Sequence, residues 1–256
     1  MGYKKTIKYG SNLEFYTYEK DIRYNGSGKS RNSGRVKLQS VVEDTGVKLL
    51  HVVQKRQSNI RRSGLVFRRL ILANLQQSSP PALVTCTYAE NQDDLSIAYK
   101  DFNSFIRALR YKFGEEFRYI SVPEFQKRGA IHFHTLFWGL PDYICEQERH
   151  TRLVASLWGR GFVDCYLTDN NEKISSYLAK YMMKSSMDKR LGFKKAFHCS
   201  RNIIRPVVDK SPMVVELQYL YGIDVDNPPL QDKTFMTQWL GKGRYRIFNI
   251  SNNSNN

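Results

Sequence analysis

The sequence lacks any run of about 18 apolar residues of the kind that spans a bilayer, and its opening stretch, MGYKKTIKYG, lacks the apolar core a signal peptide needs. These absences argue against a membrane-spanning or exported chain and set the expectation of a cytoplasmic protein with no membrane partner. Cysteine is scarce. Cys86, Cys145, Cys165 and Cys199 fall at no zinc-ligand spacing, so reduced structural thiols are expected. A nucleotide-binding P-loop is missing too: Gly28-Lys29-Ser30 ends like one, but the motif's first glycine would stand where Arg23 does, and no apolar strand feeds the loop. An ATPase is thereby excluded.

Acidic residues are the other shortage, with 24 Asp and Glu against 40 Lys and Arg and a net charge of +16. So basic a chain fits a polyanionic partner, nucleic acid or an anionic membrane surface, better than an ordinary metabolite. The excess is concentrated, since residues 1–80 carry 16 basic and 5 acidic side chains. What is present in quantity is apolar: 41% hydrophobic and 13% aromatic residues are enough for a packed core. No internal repeat or substantial low-complexity tract is visible.

Residues 1–80 read as a basic N-terminal arm with a turn-rich loop at 25–34, expected to be mobile, and a helix over 55–75. That helix carries Arg61, Arg62, Arg68 and Arg69, candidates for phosphate contact. After Ser79-Pro80-Pro81 the pattern changes to a compact α+β unit over 81–206. Its strands are expected at 82–88, 118–125, 130–138 and 161–167, and its helices at about 93–113, 145–157 and from 170 to about 183. This β-α-β-β-α-β-α order favours an antiparallel sheet with helices packed on one face. Residues 207–256 form an extension whose tail, SNNSNN, is expected to be disordered.

Two motifs carry chemistry. Within the apolar run IHFHTLFW, strand alternation sends His132 and His134 to one face and Phe133 to the other. A hairpin turning about Arg128 sets Glu124 opposite His132 and Val122 opposite His134. Two imidazoles and a carboxylate at one point suit a divalent cation such as Mg²⁺ or Mn²⁺. Further on, Tyr177 and Tyr181 stand at i and i+4 of a helix, each followed three residues later by a lysine, Lys180 and Lys184. A phenol, with a pKa near 10, attacks a phosphodiester at neutral pH only if cations help it ionise, which the lysines and a metal can do. Buried aromatics at helical spacing would be the structural alternative for the tyrosines.

The conjunction of Val122-Pro123-Glu124-Phe125-Gln126, His132-Phe133-His134 and Tyr177-x-x-Lys180-Tyr181 resembles the HUH endonucleases. It resembles more closely the replication initiators, of the replication-associated or gene II protein type, of single-stranded DNA phages and related plasmids. The resemblance covers about residues 82–206. It implies a five-stranded antiparallel sheet with helices and an endonuclease that nicks single-stranded or hairpin origin DNA. It further implies a 5′-phosphotyrosine intermediate, extension of the free 3′ end by a host polymerase, unwinding by a host helicase, and rejoining by the second tyrosine. Tyrosine placement after the histidines separates the chain from relaxases but not from two-tyrosine transposases. Two rivals lie outside this chemistry: a non-catalytic DNA-binding module of the same fold, and a hydrolase that releases free ends through water.

Overall fold

The computed structural model describes residues 2–21, 45–75, 80–141, 143–146, 148–169, 172–192, 194–210, 223, 228–237 and 239–250. The loop expected at 25–34 and the tail at 251–256 lie outside them. The chain divides into two compact units, one made of residues 1–59 and 206–256, the other of residues 60–205.

The first unit is a five-stranded antiparallel sheet. Strands β1 (Lys4–Tyr9) and β2 (Asn12–Tyr18) form a hairpin, and β2 pairs along its length with β10 (Gly241–Asn249). The short β8 (Val207–Asp209) flanks β1, and β9 (Gln231–Thr237) flanks β10. Leu13, Phe15 and Phe248, neighbours across β2 and β10, are buried together. This sheet was not anticipated. Its strands come from the two ends of the chain, and pairing between residues so far apart leaves no local pattern. The expected arm and C-terminal extension therefore contribute to one sheet, while residues 60–75 group with the second unit.

The second unit holds the expected α+β pattern. Strands β3 (Ala82–Tyr88), β4 (Arg118–Phe125), β5 (Ile131–Trp138), β6 (Gly161–Leu167) and the two-residue β7 (His198–Cys199) form an antiparallel sheet in the order β6-β3-β5-β4-β7. The β4–β5 register is the one the hairpin argument requires, with Glu124 opposite His132 and Val122 opposite His134. Gly129, at φ +102°, turns the chain there, and its N–H donates to the Gln126 carbonyl. Pro123, which has no N–H to give, sits beyond the reach of β7, which pairs only with Ile120 and Ser121.

Helix α2 (Leu95–Phe113) starts where Asp94 caps it, the carboxylate accepting from the Ser96 and Ile97 amides at 2.7 and 3.3 Å. Its buried stripe, Leu95, Ala98, Phe102, Phe105, Ile106 and Leu109, follows helical spacing. The stripe packs on one sheet face through Val84, Cys86, Phe133 and Phe137, with the Phe102 and Phe133 rings stacked at 4.7 Å. Helices α3 (Tyr143–Glu146) and α4 (Glu148–Trp158) occupy the helical stretch expected near 145–157, and Ile144, Val154 and Trp158 join the same core.

Helix α5 (Lys173–Met187) lies on the opposite face, against β4. Helices thus cover both faces, which corrects the one-face expectation: alternation along β5 leaves apolar residues on the histidine side too, as the fully buried Leu136 shows, and these also need cover. The C-terminal half of α1 (Thr45–Asn74) packs beside α5. Gly64 approaches Met182 and Met183 so closely that a Cβ there would lie 3.7 Å from both side chains.

Cys145 and Cys165 are joined by a disulfide, whereas Cys86 and Cys199 are free. Reduced thiols were expected throughout. Packing of α3 on β6 brings the pair to a Cα separation of 5.2 Å, a proximity that a sequence separation of 20 conceals. No helix among the described residues is long and apolar enough to cross a membrane.

Candidate active site

The histidine face of the second sheet and the inner side of α5 bring five of the expected residues together. Glu124, on β4, is buried, and its Oε2 accepts from Nε2 of His134 at 2.7 Å while its Oε1 accepts from Nζ of Lys184. Because the carboxylate accepts, Nε2 of His134 carries the proton and Nδ1 faces the Thr85 hydroxyl at 3.3 Å as acceptor. Tyr181 lays its ring on the His134 imidazole at 4.1 Å, and its hydroxyl shares a hydrogen bond of 2.9 Å with that of Tyr177. The i, i+4 spacing on α5 that suggested a shared face thus yields direct hydroxyl contact.

His132 stands next along β5, its ring 6.3 Å from that of His134. Its Nε2 is buried and has no hydrogen-bond partner among the described residues. Burial, aided by the nearby His134, depresses its pKa to about 4, so the ring is neutral and carries a free lone pair at neutral pH. A neutral imidazole with an unpartnered Nε2, beside a second imidazole and a carboxylate, offers the donor types that suit a hard or borderline divalent cation. Both Glu124 oxygens are engaged by protein donors, however, and no group of three His, Cys, Asp or Glu side chains among the described residues is arranged as a metal cage. Cation binding here therefore competes with Lys184 for the carboxylate.

Burial by itself raises the pKa of Glu124, but hydrogen bonds from His134 and Lys184, and their charge, outweigh it and hold the carboxyl at about 2 against an ordinary 4.5. The folded value is the lower one, so the stabilisation is complete above about pH 4.5 and disappears as the pH falls towards 2. Glu124→Gln should therefore cost on the order of 2–3 kcal/mol at neutral pH, and this deficit should shrink on acidification. Denaturant melts across that range check it; a deficit independent of pH would mean the ion pairing contributes nothing to stability.

The tyrosine hydroxyls are hard to ionise as they stand. The hydrogen bond with Tyr177 and then burial raise the pKa of Tyr181 well above the ordinary phenol range. Burial, followed by the charge of and a hydrogen bond with Tyr177, pushes Tyr166 on β6 up to about 12. Lys180 is exposed on the outer side of α5 and Lys184 reaches inward, so the two lysines do not converge on one atom.

On α1, Arg61 and Arg62 are exposed and Arg68 and Arg69 half-buried, the Nε of Arg68 being buried. The sequence reading missed Thr85 and Tyr166. Alternation in ALVTCTY and GFVDCYL shows which residues share a face, but that β3 lies between β5 and β6 is decided by tertiary pairing. No curated protein and no solved structure matches the chain. The segment that holds Glu124, the histidine pair and both tyrosines is nevertheless similar to a known family: residues 81–186 match the family model of replication-associated protein ORF2/G2P.

Proposed function

We propose that the chain initiates rolling-circle replication by nicking and rejoining single-stranded or hairpin origin DNA through a 5′-phosphotyrosine intermediate. The observation that carries this reading is the Tyr177–Tyr181 hydroxyl pair, with the Tyr181 ring stacked on the imidazole of an imidazole–carboxylate–lysine cluster, within the segment that matches a replication-associated family. A phenolic oxygen of one tyrosine attacks the phosphorus and forms the P–O bond. The P–O3′ bond breaks in the same displacement and the 3′ oxygen leaves and takes up a proton from solvent, while the phenolic proton passes to the neighbouring hydroxyl and on to solvent. Lys180 and Lys184 favour the phenolate by their charge. The second tyrosine, within hydrogen-bond reach of the first, in turn attacks the regenerated origin and lets the displaced strand be resealed.

His132, His134 and Glu124 are the residues that would hold Mg²⁺ or Mn²⁺, which supplies Lewis-acid polarisation of the non-bridging phosphate oxygens. Thr85 keeps His134 in orientation, and Tyr181 shields it from water on one ring face. Extension of the freed 3′ end falls to a host polymerase and unwinding to a host helicase. The reading is tested on denaturing gels with labelled origin oligonucleotides and Mn²⁺. A covalent protein–DNA band supports it; scission without that band indicates attack by water, and binding without scission indicates a non-catalytic module.

Helix α1 supplies phosphate contacts through Arg61, Arg62, Arg68 and Arg69 in this reading. Neutralising the four should weaken DNA binding and flatten its salt dependence by up to about 0.7–0.9 log units of slope for each phosphate no longer neutralised. Anisotropy titrations at several salt concentrations measure the slope, and an unaltered slope removes this helix from the interface.

A further inference from the structure

Strand β6 is an edge strand of the second unit's sheet among the described residues, and its two faces differ in kind. Val163, Cys165 and Leu167 point to the α2–α4 core, whereas Phe162, Asp164 and Tyr166 alternate onto the face that carries the histidines. The register makes the adjacency explicit. Phe162 pairs with Thr87, which pairs with His132; Asp164 pairs with Thr85, which pairs with His134. Tyr166, one pleat further, hydrogen-bonds with Tyr177 on α5.

Isolated exposed apolar residues are commonplace. Here three aromatic rings surround the open part of one site: Phe162 is 71% exposed, Tyr166 42% and Tyr177 40%. Facing the strand across this opening, α5 shows Tyr177, Tyr181 and Lys184 within an arc of about 60°, by the 3.6-residue repeat. One wall is thus cationic and hydroxyl-bearing, and the other aromatic with a single carboxylate. A carboxylate repels phosphate but accepts from the exocyclic amines of bases, so the β6 wall suits bases and the α5 wall suits the backbone.

The geometry points to β6 as a base-stacking shelf, with Phe162 and Tyr166 gripping unpaired nucleotides beside the scissile phosphate and thereby orienting the strand towards Tyr177. This rests on the reading that the α5 tyrosines act on DNA. Phe162 and Tyr166 lie four residues apart on a strand, roughly 14 Å, which leaves room for a nucleotide between them over Asp164. Paired bases keep their faces within the duplex stack and cannot use such a shelf, so it discriminates by strandedness rather than by charge.

The test uses the full chain, in EDTA so that scission does not intervene, with labelled oligothymidylate and a duplex, each about 20 nucleotides long. The Phe162→Ala/Tyr166→Ala double variant should bind the single strand about tenfold more weakly or worse, with duplex affinity and thermal unfolding unchanged. Phe162→Trp/Tyr166→Phe, which keeps both rings, should bind as the wild type does. Wild-type single-strand affinity in the alanine variant overturns the shelf, as does an equal loss on both probes. So does a finding that the alanine substitutions abolish self-association while leaving DNA affinity untouched, which assigns the face to a second copy of the chain. The adduct assay separates the two readings. A wild type that forms no adduct but shows the affinity difference loses the nicking mechanism and keeps the shelf; a wild type that forms adduct while the alanine variant binds normally loses only the shelf.

Discussion

Tyr177→Phe/Tyr181→Phe is expected to remove the covalent protein–DNA adduct, lowering its rate of formation on the order of 10³-fold or more, while leaving DNA binding intact. The hydroxyls contact each other at 2.9 Å, so either can reach a phosphate that the other reaches. A single substitution should therefore leave residual adduct, and the double loss should exceed the sum of the single ones. The single variants also carry a pH signature. The hydrogen bond with Tyr177 is the largest cause raising the pKa of Tyr181. Tyr177→Phe removes it, so the alkaline rise in adduct formation by Tyr181 should move to lower pH than in the wild type. Rates measured by single-turnover gel assay against pH test this; a double variant that still forms adduct would assign the nucleophile elsewhere and sink the mechanism.

His132→Ala is the second large effect, expected to reduce Mn²⁺-dependent cleavage about 10³-fold, equivalent to roughly 4 kcal/mol of transition-state stabilisation. Nε2 of His132 has no partner among the described residues, whereas Nε2 of His134 is committed to Glu124. Loss of His132 should therefore weaken Mn²⁺ binding, measured by calorimetry without DNA, in proportion to its effect on cleavage. Because burial holds its pKa near 4, metal uptake at this nitrogen should persist on acidification well below the ordinary histidine range. Unchanged Mn²⁺ affinity in His132→Ala would mean that the histidine pair serves the fold rather than a cation.

Several features of the site were readable without coordinates because they depend on short-range geometry. Alternation places His132 and His134 on one face whatever the fold, and a tight turn at Gly129 fixes which residue of β4 opposes which residue of β5. The helical repeat puts Tyr177 and Tyr181 side by side. The strand limits 118–125 and 161–167 follow from apolar patterning bounded by Gly and polar turns, and both agree with the structure.

What stayed hidden depends on which distant surfaces meet. The amphipathicity of α5 says that one side is buried but not that this side faces Glu124, and so the contact of Lys184 with Glu124, 60 residues away, could not be deduced. The same applies to the disulfide between Cys145 and Cys165, to Thr85 behind His134, and to the sheet made from both chain ends. The sequence by itself determined the shared face of His132 and His134, the β4–β5 register and the tyrosine spacing, since strand and helix periods are set by backbone sterics within a few residues. Only the tertiary structure decided that α5 crosses the histidine face, that Glu124 is held by His134 and Lys184, and that β6 turns Phe162 and Tyr166 towards the site. Those outcomes follow from how apolar faces of separate elements bury one another, which periodicity constrains in kind but not in partner.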